Sequence, residues 1–125
     1  MKNLTPPEAA HLAFAVIQKI RASFPQHSQL TLTSAATLLA VLENPGIKQN
    51  DLERLVGNVN AGTLSKQIDI FSARSDDSPD AKKLIVKERN SINLKTNDVI
   101  VTEEGQRYSI DFADFLNKQL QRLDR

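Results

Sequence analysis

Between Asn50 and Ile68 the chain sets two short amphipathic segments on either side of a break. Nothing else in the sequence restricts the fold as much. The first segment, Asn50-Asp51-Leu52-Glu53-Arg54-Leu55-Val56, stops at Gly57, which is free to enter backbone regions closed to residues with a Cβ. The second opens at Asn60, whose side-chain oxygen suits a helix N-cap, and continues Ala61-Gly62-Thr63-Leu64-Ser65-Lys66-Gln67-Ile68. Leu64, Ile68 and Phe71 fall at helical spacing and supply its inward stripe. The remaining positions are small or polar and have no use in a core. Two short helices joined by a tight turn are the expected result, with Leu52, Leu55 and Val56 facing inward on the first.

The flanking sequence extends this pattern. Thr5-Pro6-Pro7-Glu8 reads as a helix start, with a Thr cap, proline in the first turn and an acid at the positive helix end. Ala9, Ala13, Val16, Ile17, Ile20 and Phe24 then make one apolar stripe that stops before Pro25. Thr33 or Ser34 is the expected cap of a second helix carrying Ala36, Leu38, Leu39 and Leu42, which Asn44-Pro45-Gly46 terminates; Ile47 leads into the next helix. Ser72 to Asp80 is polar and proline-broken and reads as a loop. Leu84-Ile85-Val86-Lys87 and Val99-Ile100-Val101 have strand composition, with a turn expected at Lys95-Thr96-Asn97-Asp98. Thr102 caps a last helix on which Tyr108, Phe112, Phe115, Leu116, Leu120 and Leu123 line one side. The predicted fold is mainly α with a small β-hairpin (α+β). It is a single winged-helix domain over residues 1–125: an N-terminal helix in 1–27, the helix-turn-helix and wing in 32–102, and a C-terminal helix in 103–125.

Composition removes several functions. There is no cysteine, so disulfides and thiolate metal sites are excluded, and the two histidines, His11 and His27, have no ligand or base partner at suitable spacing. No nucleophile–base set, carboxylate pair or phosphate-binding glycine loop is present, so neither catalysis nor a cofactor or metal is expected. No apolar run reaches the ~20 residues of a membrane span, and no secretory segment follows Met1, which predicts a soluble cytoplasmic protein.

A formal net charge of +1 carries no argument for nucleic acid, but its distribution does. From Lys82 to Lys95 stand five bases (Lys82, Lys83, Lys87, Arg89, Lys95) against one acid, Glu88; from Asp98 to Arg125 stand six acids against four bases. The hairpin is therefore basic. On the helix that begins at Asn60, the residues Asn60, Gly62, Thr63, Ser65, Lys66 and Gln67 lie off the apolar stripe. Small side chains there let the helix approach base edges. Lys66 can reach guanine or phosphate, and Gln67 has the amide that pairs with adenine. Backbone amides at this helix start, and near Lys48 and Gln49 at the start of the preceding helix, favour phosphate. Lys87 and Arg89, with Asn93 and Lys95 near the hairpin tip, would follow the DNA backbone or enter the minor groove. The bland readings are a solvated polar helix face and a lysine-protected hairpin edge.

The order of these motifs resembles the multiple-antibiotic-resistance regulator (MarR) family. Leu32-Thr33, the leucine-rich run ending in Pro45-Gly46, and Gln49, Asp51-Leu52 and Leu55-Val56-Gly57 are similar to its first helices. Gly62-Thr63-Leu64-Ser65-Lys66 is similar to its recognition helix, and Val101-Thr102-Glu103-Glu104-Gly105-Gln106-Arg107 to the end of its wing. The wing here carries Lys87-Glu88-Arg89-Asn90 in place of the family's Asp-Arg pair. The resemblance implies a winged helix-turn-helix regulator binding double-stranded DNA. The two terminal apolar stripes, which a minimal winged helix cannot cover alone, point to a homodimer through the N- and C-terminal helices, or to mutual coverage within a monomer. A DNA-binding accessory factor in replication, recombination or plasmid transfer, and a protein-interaction winged helix, are the alternatives. The operator, the sign of regulation and any small-molecule effector are not encoded legibly.

Overall fold

Hydroxyl or amide side chains cap the starts of the helices at Thr5, Thr31, Asn60 and Thr102 and fix those boundaries. The computed structural model describes residues 3–24, 30–57, 59–72, 83–90, 92 and 96–123. The elements are α1 (Pro6–Ser23), α2 (Leu32–Glu43), β1 (Ile47–Lys48), α3 (Gln49–Val56), α4 (Ala61–Ile70), β2 (Ile85–Arg89), β3 (Asn97–Val101) and α5 (Glu103–Leu123). The chain divides into two compact units, Thr31–Ser109 and one built from Met1–Leu30 with Ile110–Arg125.

In the Thr31–Ser109 unit, α2 packs on α3, α4 and β3, and α4 packs on β2. The helix α2 begins earlier than its sequence suggests. Thr31, rather than Thr33 or Ser34, is the cap: its hydroxyl accepts the Ser34 N–H at 3.1 Å, while Ser34 Oγ accepts the Thr31 N–H at 2.8 Å. This reciprocal capping box satisfies two amides that a later start would strand. The inward face of α2 is Ser34, Thr37, Leu38 and Val41, whereas Ala36 is exposed and Leu39 and Leu42 are half-buried. Thr37 is tolerated in the core because its hydroxyl donates to the Thr33 carbonyl at 2.8 Å.

The helix α3 has room for one inward residue, Leu52; Leu55, expected inside, is 54% exposed and Val56 is half-buried. Gly57 ends it at φ 73° and ψ 157°, a region closed to residues with a Cβ. The sequence expectation for α4 holds residue by residue: Asn60 caps it through Oδ1 and the Thr63 N–H at 2.8 Å, and Leu64, Ile68 and Phe71 are fully buried. They join Leu38, Val41, Leu52, Leu84, Ile85 and Val99 in the core. Fully burying one such side chain stabilises the fold by about 1.5–3 kcal/mol.

The wing is a three-stranded antiparallel sheet in the order β1-β3-β2, not a two-stranded hairpin alone. Ile47 and Lys48, read as a helix lead-in, pair with Val99 and Asp98, and the Gly46 N–H donates to the Val99 carbonyl at 3.0 Å. A two-residue strand has no periodicity, so nothing in its sequence could announce it. Of the turn expected at Lys95–Asp98, Lys95 lies outside the described residues, while Asn97 and Asp98 belong to β3 and the Asn90 N–H donates to the Thr96 carbonyl at 3.0 Å. Thr102 caps α5, accepting the Gly105 N–H at 3.0 Å.

In the second unit, α1 starts at the expected Thr5 cap, which Glu8 completes as a reciprocal capping box. Its buried stripe is turned from the expected one: Ile20 and Phe24 are buried and Leu12, Ala15 and Val16 half-buried, but Ala9, Ala13 and Ile17 are exposed. The His11 ring Nε2 lies 3.1 Å from Gln119 Oε1, and Lys19 Nζ lies 2.8 Å from Asp111 and 5.4 Å from the Phe115 ring centre. These contacts advance along α1 as they retreat along α5, so the two helices run antiparallel here. Gln119 is buried and Leu120 is 39% exposed, the reverse of the expected stripe, because His11 satisfies the amide. No helix among the described residues is long and apolar enough to cross a membrane.

Candidate nucleic-acid interface

The burial of Leu64, Ile68 and Phe71 decides what α4 shows on its other side. Ala61, Gly62 and Lys66 are exposed, and Thr63 and Ser65 are half-buried. Gly62, Ser65, Lys66 and Asp69 recur at three- and four-residue spacing and so share one face. Two expected contacts are constrained by the same geometry. Asn60 uses one lone pair of Oδ1 for its cap, which fixes the direction of its amide. Gln67 sits next to Ile68 on the flank of the buried stripe, and its Oε1 is buried without a hydrogen-bond partner among the described residues. A two-point pairing with adenine needs that oxygen in the open, so Gln67 is not placed for it.

Strand alternation sorts the wing residues. In β2, Ile85, Lys87 and Arg89 point to one side and Val86 and Glu88 to the other. Ile85 is buried, so Lys87 is carried towards α4 rather than away from it. Its Nζ donates to Ser65 Oγ at 2.6 Å and lies 3.1 Å from Asp69 Oδ1, and the side chain is only 17% exposed. Ser65 Oγ takes the hydrogen bond, while the buried Asp69 Oδ1, which has no hydrogen-bond partner among the described residues, lies within ion-pair distance of the ammonium. Lys87 is therefore not the free phosphate ligand that its place in a basic run suggested. Asp69 was missed by sequence reasoning. The signal for it was the two-residue spacing between Ile85 and Lys87, which assigns Lys87 to the inner face.

Arg89, at the end of β2, is exposed and pairs in register with Asn97. The Asn97 amide donates to Gln49 Oε1 at 3.5 Å, which links the wing to the first turn of α3. Lys48 is exposed and precedes α3 as its cap without a side-chain cap bond. Asn93 and Lys95 lie outside the described residues. On the other side of the sheet the register sets Glu88 and Lys48 on either side of Asp98, whose carboxylate accepts two bonds from the Asn90 amide at 3.0 and 3.1 Å. The positive charge of the wing thus lies on the α4 side, and its opposite side is mixed. Among the described residues no cluster of three potential ligands could hold a metal ion.

Three helices, of which the third presents a small polar face, followed by an antiparallel hairpin with a third strand from between the helices, define a winged helix-turn-helix. Solved structures place this fold more closely. The structure of MarR superposes with a TM-score of 0.51 at 23% identity, covering 96% of this chain and 79% of that one. The Staphylococcus aureus MepR–DNA complex gives 0.63 at 18% identity, over 90% and 85% of the two chains. A MarR transcriptional regulator from Methanosarcina mazei Go1 gives 0.60 at 16% identity, over 93% and 73%. The fold is that of the MarR-type winged helix, as the sequence resemblance implied. No protein-family model and no curated protein matches the chain.

Proposed function

We propose that this protein is a transcriptional regulator that binds double-stranded DNA as a homodimer, with α4 in the major groove and the α4 side of the wing on the backbone or minor groove. One observation carries the reading: α4 buries Leu64, Ile68 and Phe71 completely and leaves Gly62 and Lys66 exposed with Ser65 beside them. A helix with a flat polar face and one long cation can approach base edges, whereas a helix serving only to fill a core has no need of that face. Gly62, Thr63, Ser65 and Lys66 form the proposed base-reading set, with Arg89, Lys48 and the first-turn backbone at Gln49 on phosphates. That a MepR structure of this fold was solved with DNA supports the choice.

Dimerisation is supported by Phe14, Ile17 and Ile110, which are 62%, 43% and 65% exposed in the unit formed by α1 and the end of α5. Large apolar side chains concentrated on two adjacent helices are what an interface between copies would cover. In this reading the dimer acts in the cytoplasm, and its two recognition helices read half-sites about one DNA turn, ~34–36 Å, apart.

The test is selection of bound duplexes from a random pool, followed by titration of the enriched sequence at several salt concentrations. Enrichment of a palindromic motif with an affinity at least ~1,000-fold above that for random DNA is expected. Binding that is equally weak on every sequence would overturn the reading.

A further inference from the structure

The contact between Lys87 and Ser65 ties the wing to the face of α4 that the proposed function sets in the major groove. It also restricts where the Ser65 hydroxyl proton can point. A serine hydroxyl has one proton to donate and lone pairs that accept. The Lys87 ammonium donates into a lone pair of Ser65 Oγ at 2.6 Å, a charge-assisted bond, and Asp69, one turn further along α4, holds that ammonium at 3.1 Å. A helical serine commonly discharges its proton onto the carbonyl four residues back, as Thr37 does onto Thr33. Among the described residues nothing accepts the Ser65 proton. Ser65 is half-buried, with its oxygen turned to Lys87, and its neighbours on the same face are Gly62 and Lys66.

We propose that Lys87 is a positioning residue that turns Ser65 into a hydrogen-bond donor, making Ser65 a specificity residue for acceptor groups on base edges: purine N7, guanine O6 or thymine O4. The inference rests on the DNA-binding reading. Lys87 supplies no phosphate contact in it. With the ammonium in place one lone pair of Oγ is occupied and the proton is directed away from Lys87, so acceptor groups on base edges are the favoured partners of Ser65. Removing Lys87 would free the Ser65 hydroxyl to turn its proton onto the carbonyl four residues back, as Thr37 does, and the donor directed at the base edge would be lost.

The test uses the duplex enriched by the wild-type protein, with each major-groove acceptor deleted in turn: 7-deazapurines for N7, 2-aminopurine for guanine O6 and 5-methyl-2-pyrimidinone for thymine O4. Wild type is expected to lose about 5- to 100-fold in affinity at one position that Ser65→Ala no longer senses. Lys87→Met is expected to lose the same sensitivity, to keep the wild-type salt slope, and to weaken binding no further when combined with Ser65→Ala. Lys87→Met combined with Asp69→Asn, which removes the ammonium without leaving the Asp69 carboxylate unpaired, serves in its place, with the same expected outcomes, should Lys87→Met alone fail to fold. A salt slope reduced by about one unit per subunit in Lys87→Met would make Lys87 a phosphate ligand and overturn the proposal. Retention of every acceptor sensitivity by Ser65→Ala, or additive losses in the double variant, would overturn it as well. Failure of the wild-type protein to enrich any sequence would instead remove the DNA-binding reading and this inference together.

Discussion

Gly105, in the first turn of α5, lies against the backbone of Leu84 at the entrance to β2. A Cβ added to Gly105 would run into the Leu84 carbonyl oxygen and sit 2.8 Å from Val101 Cγ1. The same carbonyl accepts the Thr102 N–H at 2.9 Å and the Thr102 hydroxyl at 3.0 Å, and that hydroxyl also reaches the Lys83 carbonyl. The start of α5 is thus bolted to the start of the wing, and only glycine leaves space for the bolt. Gly105→Ala is expected to lower stability by about 1–3 kcal/mol despite the better helix propensity of alanine, because backbone cannot move aside as a flexible side chain can. Denaturant unfolding of the variant checks this.

Gly62 gives the opposite case. A Cβ there meets only Asn60 Oδ1, at 3.5 Å. Gly62→Ala should therefore raise stability by up to ~1 kcal/mol through helix propensity. The added methyl would stand on the face proposed for the major groove, so the same variant should bind the enriched DNA more weakly. A variant that is both more stable and equally tight on DNA would show that this face does not enter the groove.

Lys66 and Arg89 separate base reading from backbone contact. Lys66→Ala should cost roughly 1–3 kcal/mol on the enriched sequence and relax specificity. Arg89→Ala should weaken specific and random DNA alike and reduce the salt slope by about one unit per subunit. Titrations at four or more salt concentrations measure both quantities.

Ile68 stands on the other side of the same helix and is fully buried. Ile68→Ala is expected to cost about 2–5 kcal/mol in stability through lost transfer energy and a residual cavity. At temperatures where the variant remains folded, its affinity for DNA should change far less than its unfolding midpoint. An unaltered midpoint would mean that α4 is not packed as described.

Phe14 tests assembly. Introducing a charge with Phe14→Glu should shift the protein from dimer to monomer in sedimentation at micromolar concentration while leaving its helix content unchanged. A wild-type protein that sediments as a monomer at tens of micromolar would remove the dimer from the proposed function.

Local chemistry was enough to locate α4 and its inward face. Asn60 accepts an amide three residues away, and Leu64, Ile68 and Phe71 lie within two turns of one helix, so neither depends on distant partners. The caps at Thr5 and Thr102 and the stop at Gly57 were legible for the same reason. What the sequence could not convey depended on partners far along the chain. The strand at Ile47–Lys48 exists because Val99 and Asp98 lie alongside it, some fifty residues on. Which side of α1 is buried depends on where α5 runs, and Gln119 is accepted inside because His11 meets it. Lys87 shows the distinction most clearly. Its charge is written in the sequence, but only the pairing of β2 with β3 and the packing of β2 on α4 bring its ammonium onto Ser65 and Asp69. Periodicity fixes which side of its own element a residue occupies. Tertiary packing decides what lies opposite, and for a long cationic side chain that decides whether it meets solvent, phosphate or another residue of the protein.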